Sequence, residues 1–165
     1  MAVSEQAPRI LIIDDDRAFR IATRALLTDE GYEVDAASGG DEGLARLQEG
    51  RYQLVLLDLK MEGRSGLSVL EELRRSGHTL PVLMLTGYAT VDSAVQALKL
   101  GADDYLTKPC DNQLLRSKIR SILATRPMDC STSRISGPLA TIRSEPAGVA
   151  GARVARMLRI FERRS

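Results

Sequence analysis

The chain has 165 residues, 44% hydrophobic and 27% charged, enough for one domain plus an extension and ordinary for a soluble globular protein. Its net charge of +1 hides an asymmetry, because residues 126–165 hold eight Arg against Asp129, Glu145 and Glu162, so a basic tail follows a mildly acidic body. Two cysteines, Cys110 and Cys130, are too few for a disulfide framework or a metal cluster and read as reduced thiols. No apolar run approaches the roughly 20 residues of a membrane helix, and Met1–Pro8 lacks the core of a signal peptide, so a cytoplasmic protein is expected.

Residues 9–13 form a short aliphatic run that predicts a buried strand. Helical spacing follows over 17–30, with Phe19, Ala22, Leu26 and Leu27 on one face and Gly31 as a stop. Tyr32–Ala36 predicts a weaker strand. Ser38 or Asp41 is the candidate cap of a helix that carries Leu44 and Leu47 inward and ends near Gly50. Gln53–Asp58 is the strongest strand. Ser65 is the candidate cap of a helix over Gly66–Ser76, with Leu67, Leu70 and Leu73 as its apolar stripe. Pro81 opens a strand that ends at Thr86, and Gly87 breaks it. Thr90 or Asp92 starts a helix with Val91, Ala94, Val95 and Leu98 on one side, ending at Gly101. Asp103–Thr107 is a short strand, and Asp111 caps a helix carrying Leu114, Leu115, Ile119 and Ile122. Five strands alternating with five helices predict an α/β sheet with helices on both faces.

Residues 8–125 are therefore read as one domain. After Arg126-Pro127, three prolines and several Ser and Thr mark 126–148 as a flexible linker. Residues 149–165 regain helical spacing, with Val154, Met157, Leu158 and Phe161 flanked by Arg, and read as a basic amphipathic helix or a disordered appendage.

The strand ends carry the chemistry. The first run ends on Asp14-Asp15-Asp16, the third on Asp58, the fourth on Thr86 and the fifth on Lys108-Pro109. In an open parallel sheet these ends share one edge, where such sheets bind ligands. Carboxylates gathered there repel one another unless a cation joins them, and hard oxygen ligands suit Mg2+. Asp58 ends the most apolar strand and is the candidate nucleophile, able to hold a phosphoryl group as an acyl phosphate. Asp14 and Asp15 hold the cation, Lys108 adds a second positive charge, and Thr86 offers a hydroxyl to another phosphoryl oxygen. Asp16 reads as a helix cap or a solvated residue, and His78, in the loop Gly77–Leu80, as a solvated residue.

These pieces resemble the receiver domain of bacterial two-component response regulators. The matching segments are Ile12-Ile13-Asp14-Asp15-Asp16, Leu57-Asp58-Leu59-Lys60-Met61, Leu85-Thr86-Gly87-Tyr88-Ala89-Thr90 and Tyr105-Leu106-Thr107-Lys108-Pro109, within about residues 8–125. The resemblance implies a doubly wound, flavodoxin-like sheet of five parallel strands in order 2-1-3-4-5. It implies that Asp58 takes a phosphoryl group from a sensor histidine kinase or phosphotransfer protein. It also implies a Mg2+ ion held by Asp14, Asp15, Asp58 and the Lys60 backbone carbonyl, and a cis Lys108–Pro109 bond. Thr86 and Tyr105 are the implied switch: the hydroxyl turns to the phosphoryl, Tyr105 turns inward, and residues 90–108 change shape for a downstream protein. Many members of the family have Pro where this chain has Glu62, so the loop Glu62–Gly66 is expected to be more mobile. Lys60 and Tyr88 occupy the two variable positions that tune acyl-phosphate lifetime in the family.

A turnover enzyme is not expected. Phosphatases that use an Asp nucleophile on such a sheet need a second acid two residues on, and Lys60 stands there. The alternative output is a DNA-binding transcriptional regulator with a shortened output segment, because the tail arginines are able to contact phosphate backbones. Phosphorylation-dependent homodimerisation and nucleic-acid binding both stay open at this level.

Overall fold

The computed structural model describes residues 6–87 and 90–125. Five strands alternate with five helices: β1 (Arg9–Ile13), α1 (Arg17–Asp29), β2 (Glu33–Ala37), α2 (Gly40–Glu49), β3 (Leu54–Asp58), α3 (Gly66–Arg75), β4 (Val82–Thr86), α4 (Val91–Lys99), β5 (Asp104–Thr107) and α5 (Asn112–Ala124). The strands form one parallel sheet in the order β2-β1-β3-β4-β5, as expected. The strand–helix alternation accounts for the parallel pairing, since parallel neighbours need a crossover and helices supply it; the order is the one the family resemblance implies.

The interiors of the central strands are apolar because both of their faces are covered. Successive residues point to opposite sides. Leu11, Ile13, Val55, Leu57 and Met84 pack with Leu47 of α2, Val69, Leu70 and Leu73 of α3 and Ala94 and Ala97 of α4. Ile10, Ile12, Leu54, Leu56, Leu83 and Leu85 pack on the other side with Leu27 of α1 and Leu115, Ile119 and Ile122 of α5.

Several expected details shift. In α1 the buried polar residue is Thr23, one position beyond Ala22, which is exposed. The first residue of four predicted strands lies outside the ladder, so Tyr32, Gln53, Pro81 and Asp103 belong to the preceding loops. The expected caps of α2 are replaced by Gly39, which makes no side-chain cap bond. Ser38 sits one residue too early to cap, and instead its N–H and hydroxyl both donate to Glu42, each at 2.8 Å. Ser65, Thr90 and Asp111 do cap α3, α4 and α5. In α4 the buried face is Ala94 and Ala97, and Val91 is exposed, because the small alanines let the helix lie close to the sheet. Leu114 likewise points to solvent, while its neighbour Leu115 starts the buried stripe that continues through Ile119 and Ile122. The linker and tail, 126–165, lie outside the described residues. Among the described residues no helix is long and apolar enough to cross a membrane.

Candidate functional site

Strand register builds the site. Ile13 pairs with Leu57, so Asp14 and Asp58 are the next residues out on neighbouring strands. Asp58 pairs with Leu85, which brings Thr86 beside it, and Thr86 pairs with Thr107, the residue before Lys108. Asp14, Asp58 and Thr86 are all buried, whereas Asp15 is exposed. One carboxylate oxygen from each of Asp14, Asp15 and Asp58 lies within 4.8 Å of the other two.

Lys108 sits among them. Its ammonium is ion-paired to Asp14, lies 3.7 Å from Asp58 Oδ2, and stands 4.0 Å from the centre of the Phe19 ring. The ring face is negative, so it adds to the attraction on the ammonium. Asp14 also accepts the Asp16 N–H at 2.9 Å, and its backbone carbonyl accepts from Arg20 at 2.6 Å. Asp16 caps α1 by accepting the Phe19 N–H at 3.1 Å, as its position predicts.

Asp58 has its pKa raised. Burial is the largest cause and the Asp14 charge the next, against Lys108, the Thr86 hydroxyl and the Lys60 N–H, which all favour the ionised form. Burial beside a second carboxylate thus disfavours the charged form of this group.

The loop after Asp58 is tied at several points. The Glu62 N–H donates to Asp15 Oδ2 at 3.1 Å, a bond that proline at this position is unable to make. Arg64 is 3.0 Å from Asp41 of α2 and pairs with Glu72 of α3. Gly66 opens α3 against the strand end: a Cβ there would stand 2.0 Å from the Asp58 carbonyl oxygen. The expected mobility of this loop meets these restraints.

Tyr105 is buried and its hydroxyl lies 3.3 Å from Ser93 Oγ, so the ring already occupies the inward position. The Lys108–Pro109 bond is cis. Beside the site, a cleft of about 420 Å³ between α1 and the start of α5 is lined by Asp16, Phe19, Thr23, Lys108 and Cys110. Cys110 is a free, half-buried thiol whose pKa burial raises. Cys130 lies outside the described residues, as does Tyr88. His78 is exposed; its backbone N–H donates to the Leu73 carbonyl and its own carbonyl accepts from Arg74.

Sequence reasoning missed the Glu62 amide, the Arg20 contact, the Phe19 ring beneath Lys108, and Ser93. Phe19 had a signal: it lies in the first turn of the helix that follows the aspartates, and so beside the strand edge. The backbone amide had none.

A doubly wound parallel sheet with an acidic, lysine-bearing pocket at its carboxyl edge places the chain among the open α/β domains that bind ligands at that edge. The comparisons narrow it. A family model described as the response regulator receiver domain matches residues 10–120, and the chain belongs to that family.

Among relatives, the transcriptional regulatory protein DltR of Streptococcus agalactiae serotype III is 45% identical over 112 residues, covering 68% of this chain and 50% of DltR. The response regulator MprA of Mycobacterium leprae is 41% identical over 126 residues, covering 76% of this chain and 55% of MprA. The chain thus spans about half the length of these relatives. Among solved structures, a CheY-like receiver domain protein from Methanospirillum hungatei JF-1 aligns with a TM-score of 0.70 at 37% identity, covering 72% of this chain and 95% of that one. The response regulator TrrA of Thermotoga maritima, solved in complex with Mg2+ and BeF, aligns with a TM-score of 0.64 at 35% identity, covering 70% of this chain and 98% of that one.

Proposed function

We propose that this chain is a phosphoacceptor switch of two-component signalling, acting in the cytoplasm. Asp58 takes a phosphoryl group from a phosphohistidine on a sensor histidine kinase or phosphotransfer protein. The observation that carries the reading is the convergence of Asp14, Asp15, Asp58 and Lys108, from three strand ends, on one pocket.

The donor set suits Mg2+: three carboxylates with oxygens close together, one of them on an exposed residue. Asp14, Asp15, Asp58 and the Lys60 carbonyl are the groups that would hold it. When bound, the ion neutralises carboxylate and phosphoryl charge.

Asp58 does the covalent work. One carboxylate oxygen forms a bond to phosphorus as the nitrogen–phosphorus bond of the donor breaks, and the imidazole leaves with the electron pair. Lys108 favours the ionised acceptor and needs only a short move from Asp14 to reach a phosphoryl oxygen. Thr86, already hydrogen-bonded to Asp58, is positioned to meet another. The cleft between α1 and α5 reaches Lys108 and Phe19, which suits it to the approach of the donor. Output passes through residues 90–108 to a downstream protein or a second copy of the chain. Every helix among the described residues belongs to the receiver fold, and none of them forms a separate DNA-contacting module.

The test is labelling with acetyl phosphate and Mg2+, read by intact mass. The wild type should gain one phosphoryl group and Asp58→Asn none. Undiminished labelling of Asp58→Asn overturns the assignment.

A further inference from the structure

The first turn of α4 contains an oversubscribed oxygen. Ser93 Oγ lies 3.1 Å from the Thr90 N, 3.0 Å from Thr90 Oγ1, 3.0 Å from the Thr90 carbonyl oxygen and 3.3 Å from the Tyr105 hydroxyl. A hydroxyl has one hydrogen and two lone pairs, so four partners face three places. The carbonyl takes the hydrogen and the Thr90 N–H takes one lone pair. The hydroxyls of Thr90 and Tyr105 are left to share the other. Thr90 is no passive bystander: its Oγ1 accepts the Ser93 N–H at 3.1 Å and closes the capping box that starts α4.

The rest of the surroundings make this contact matter. Tyr105 lies in β5, packed in the core layer with Ala94 and Ala97 of α4, and its hydroxyl lies within hydrogen-bond distance of Ser93 Oγ. A buried phenol requires such a partner. Thr90 stands four residues beyond Thr86, whose hydroxyl bonds Asp58.

We propose that Ser93 is a positioning residue for Tyr105: its Oγ holds the Tyr105 hydroxyl inside, in competition with the Thr90 hydroxyl. Burial of the ring and closure of the α4 cap are thus coupled through one lone pair. The coupling rests on the reading of this chain as a switch only for its use in output, and the measurements below need no phosphoryl group.

The full-length chain and its Ser93→Ala, Ser93→Thr and Tyr105→Phe variants provide the test. Nitration by tetranitromethane, located by peptide mass spectrometry, reads how far each tyrosine reaches solvent. Ser93→Ala should raise nitration of Tyr105 several-fold while Tyr32 and Tyr52 stay at wild-type rates, which also shows that the fold is intact. Ser93→Thr keeps the oxygen and should stay within about twofold of wild type. Tyr105→Phe leaves the contested lone pair to Thr90, so amide hydrogen exchange at Ser93 should slow. Unchanged Tyr105 nitration in Ser93→Ala, or Ser93 exchange that is unchanged or faster in Tyr105→Phe, overturns the proposal. Failure of acetyl phosphate to label Asp58 would instead overturn the assignment of function and leave the coupling standing.

Discussion

Lys108 and Asp14 form an ion pair at the heart of the pocket, with the Lys108 ammonium also 3.7 Å from Asp58. Both carboxylates are buried, and the ammonium lies within ion-pair distance of each. Removing one partner of a buried pair leaves the other uncompensated, which costs more than the pair itself is worth.

Lys108→Met should therefore destabilise the cation-free protein by roughly 1–3 kcal/mol. The loss should shrink when Mg2+ is added, because the cation replaces the missing charge. Thermal melts of wild type and variant, with and without Mg2+, check this. Equal Mg2+ stabilisation of both proteins would separate Lys108 from the cation site.

Asp58→Asn should stabilise the cation-free protein at neutral pH. The folded state raises the Asp58 pKa through burial and the Asp14 charge. The native state then binds the proton more tightly than the unfolded chain, so this group's contribution is full below the ordinary carboxylate value. It is lost as pH rises through the raised folded value. The wild type should lose stability relative to Asp58→Asn over that window and keep a constant deficit above it. Denaturation series at stepped pH, without divalent cations, measure the difference.

Gly66→Ala tests how tightly α3 abuts the acceptor strand. The added Cβ would stand 2.0 Å from the Asp58 carbonyl oxygen and 2.9 Å from the Leu59 Cα, both backbone atoms with no rotamer to yield. A cost of about 2–4 kcal/mol is expected, with weakened Mg2+ binding because the Asp58 backbone must shift. Urea denaturation and Mg2+ calorimetry read the two effects, and a neutral substitution would show that α3 does not set the position of Asp58.

Arg74 clamps the opposite end of the domain. It donates to the carbonyls of His78, Leu80 and Gly101, at 2.8, 3.0 and 2.8 Å, and so fastens the exit of α3 to the exit of α4. Arg74→Ala should cost about 1–3 kcal/mol. Arg74→Lys should recover less than half, because an ammonium lacks the planar spread of donors that reaches three carbonyls. Full recovery by lysine would mean that charge, not geometry, holds this corner.

Much of this architecture was legible in the chain. The aliphatic runs gave the strands because residues buried on both faces have no polar alternation to hide. The strand-end residues gave the pocket because parallel strands place their carboxyl ends on one edge, and Asp14, Asp58, Thr86 and Lys108 do meet there. The shifts came where a small residue or the backbone decided the outcome. Ala94 and Ala97 displaced Val91 from the inner face of α4 because close approach to the sheet outweighed side-chain size. Glu62 in place of proline predicts a more mobile loop, but its amide, which proline lacks, binds Asp15. The four-way crowding at Ser93 depends on distances that no periodicity encodes.

The two-sided alternation of β1, β3 and β4 has a consequence for how such a chain tolerates change. Inserting or deleting one residue inside any of these strands would swap which helix layer each side chain enters and would move the terminal group out of step with its neighbours. Length variation is thereby confined to the connecting segments, and the spacing from strand start to pocket is fixed by the packing of the whole domain.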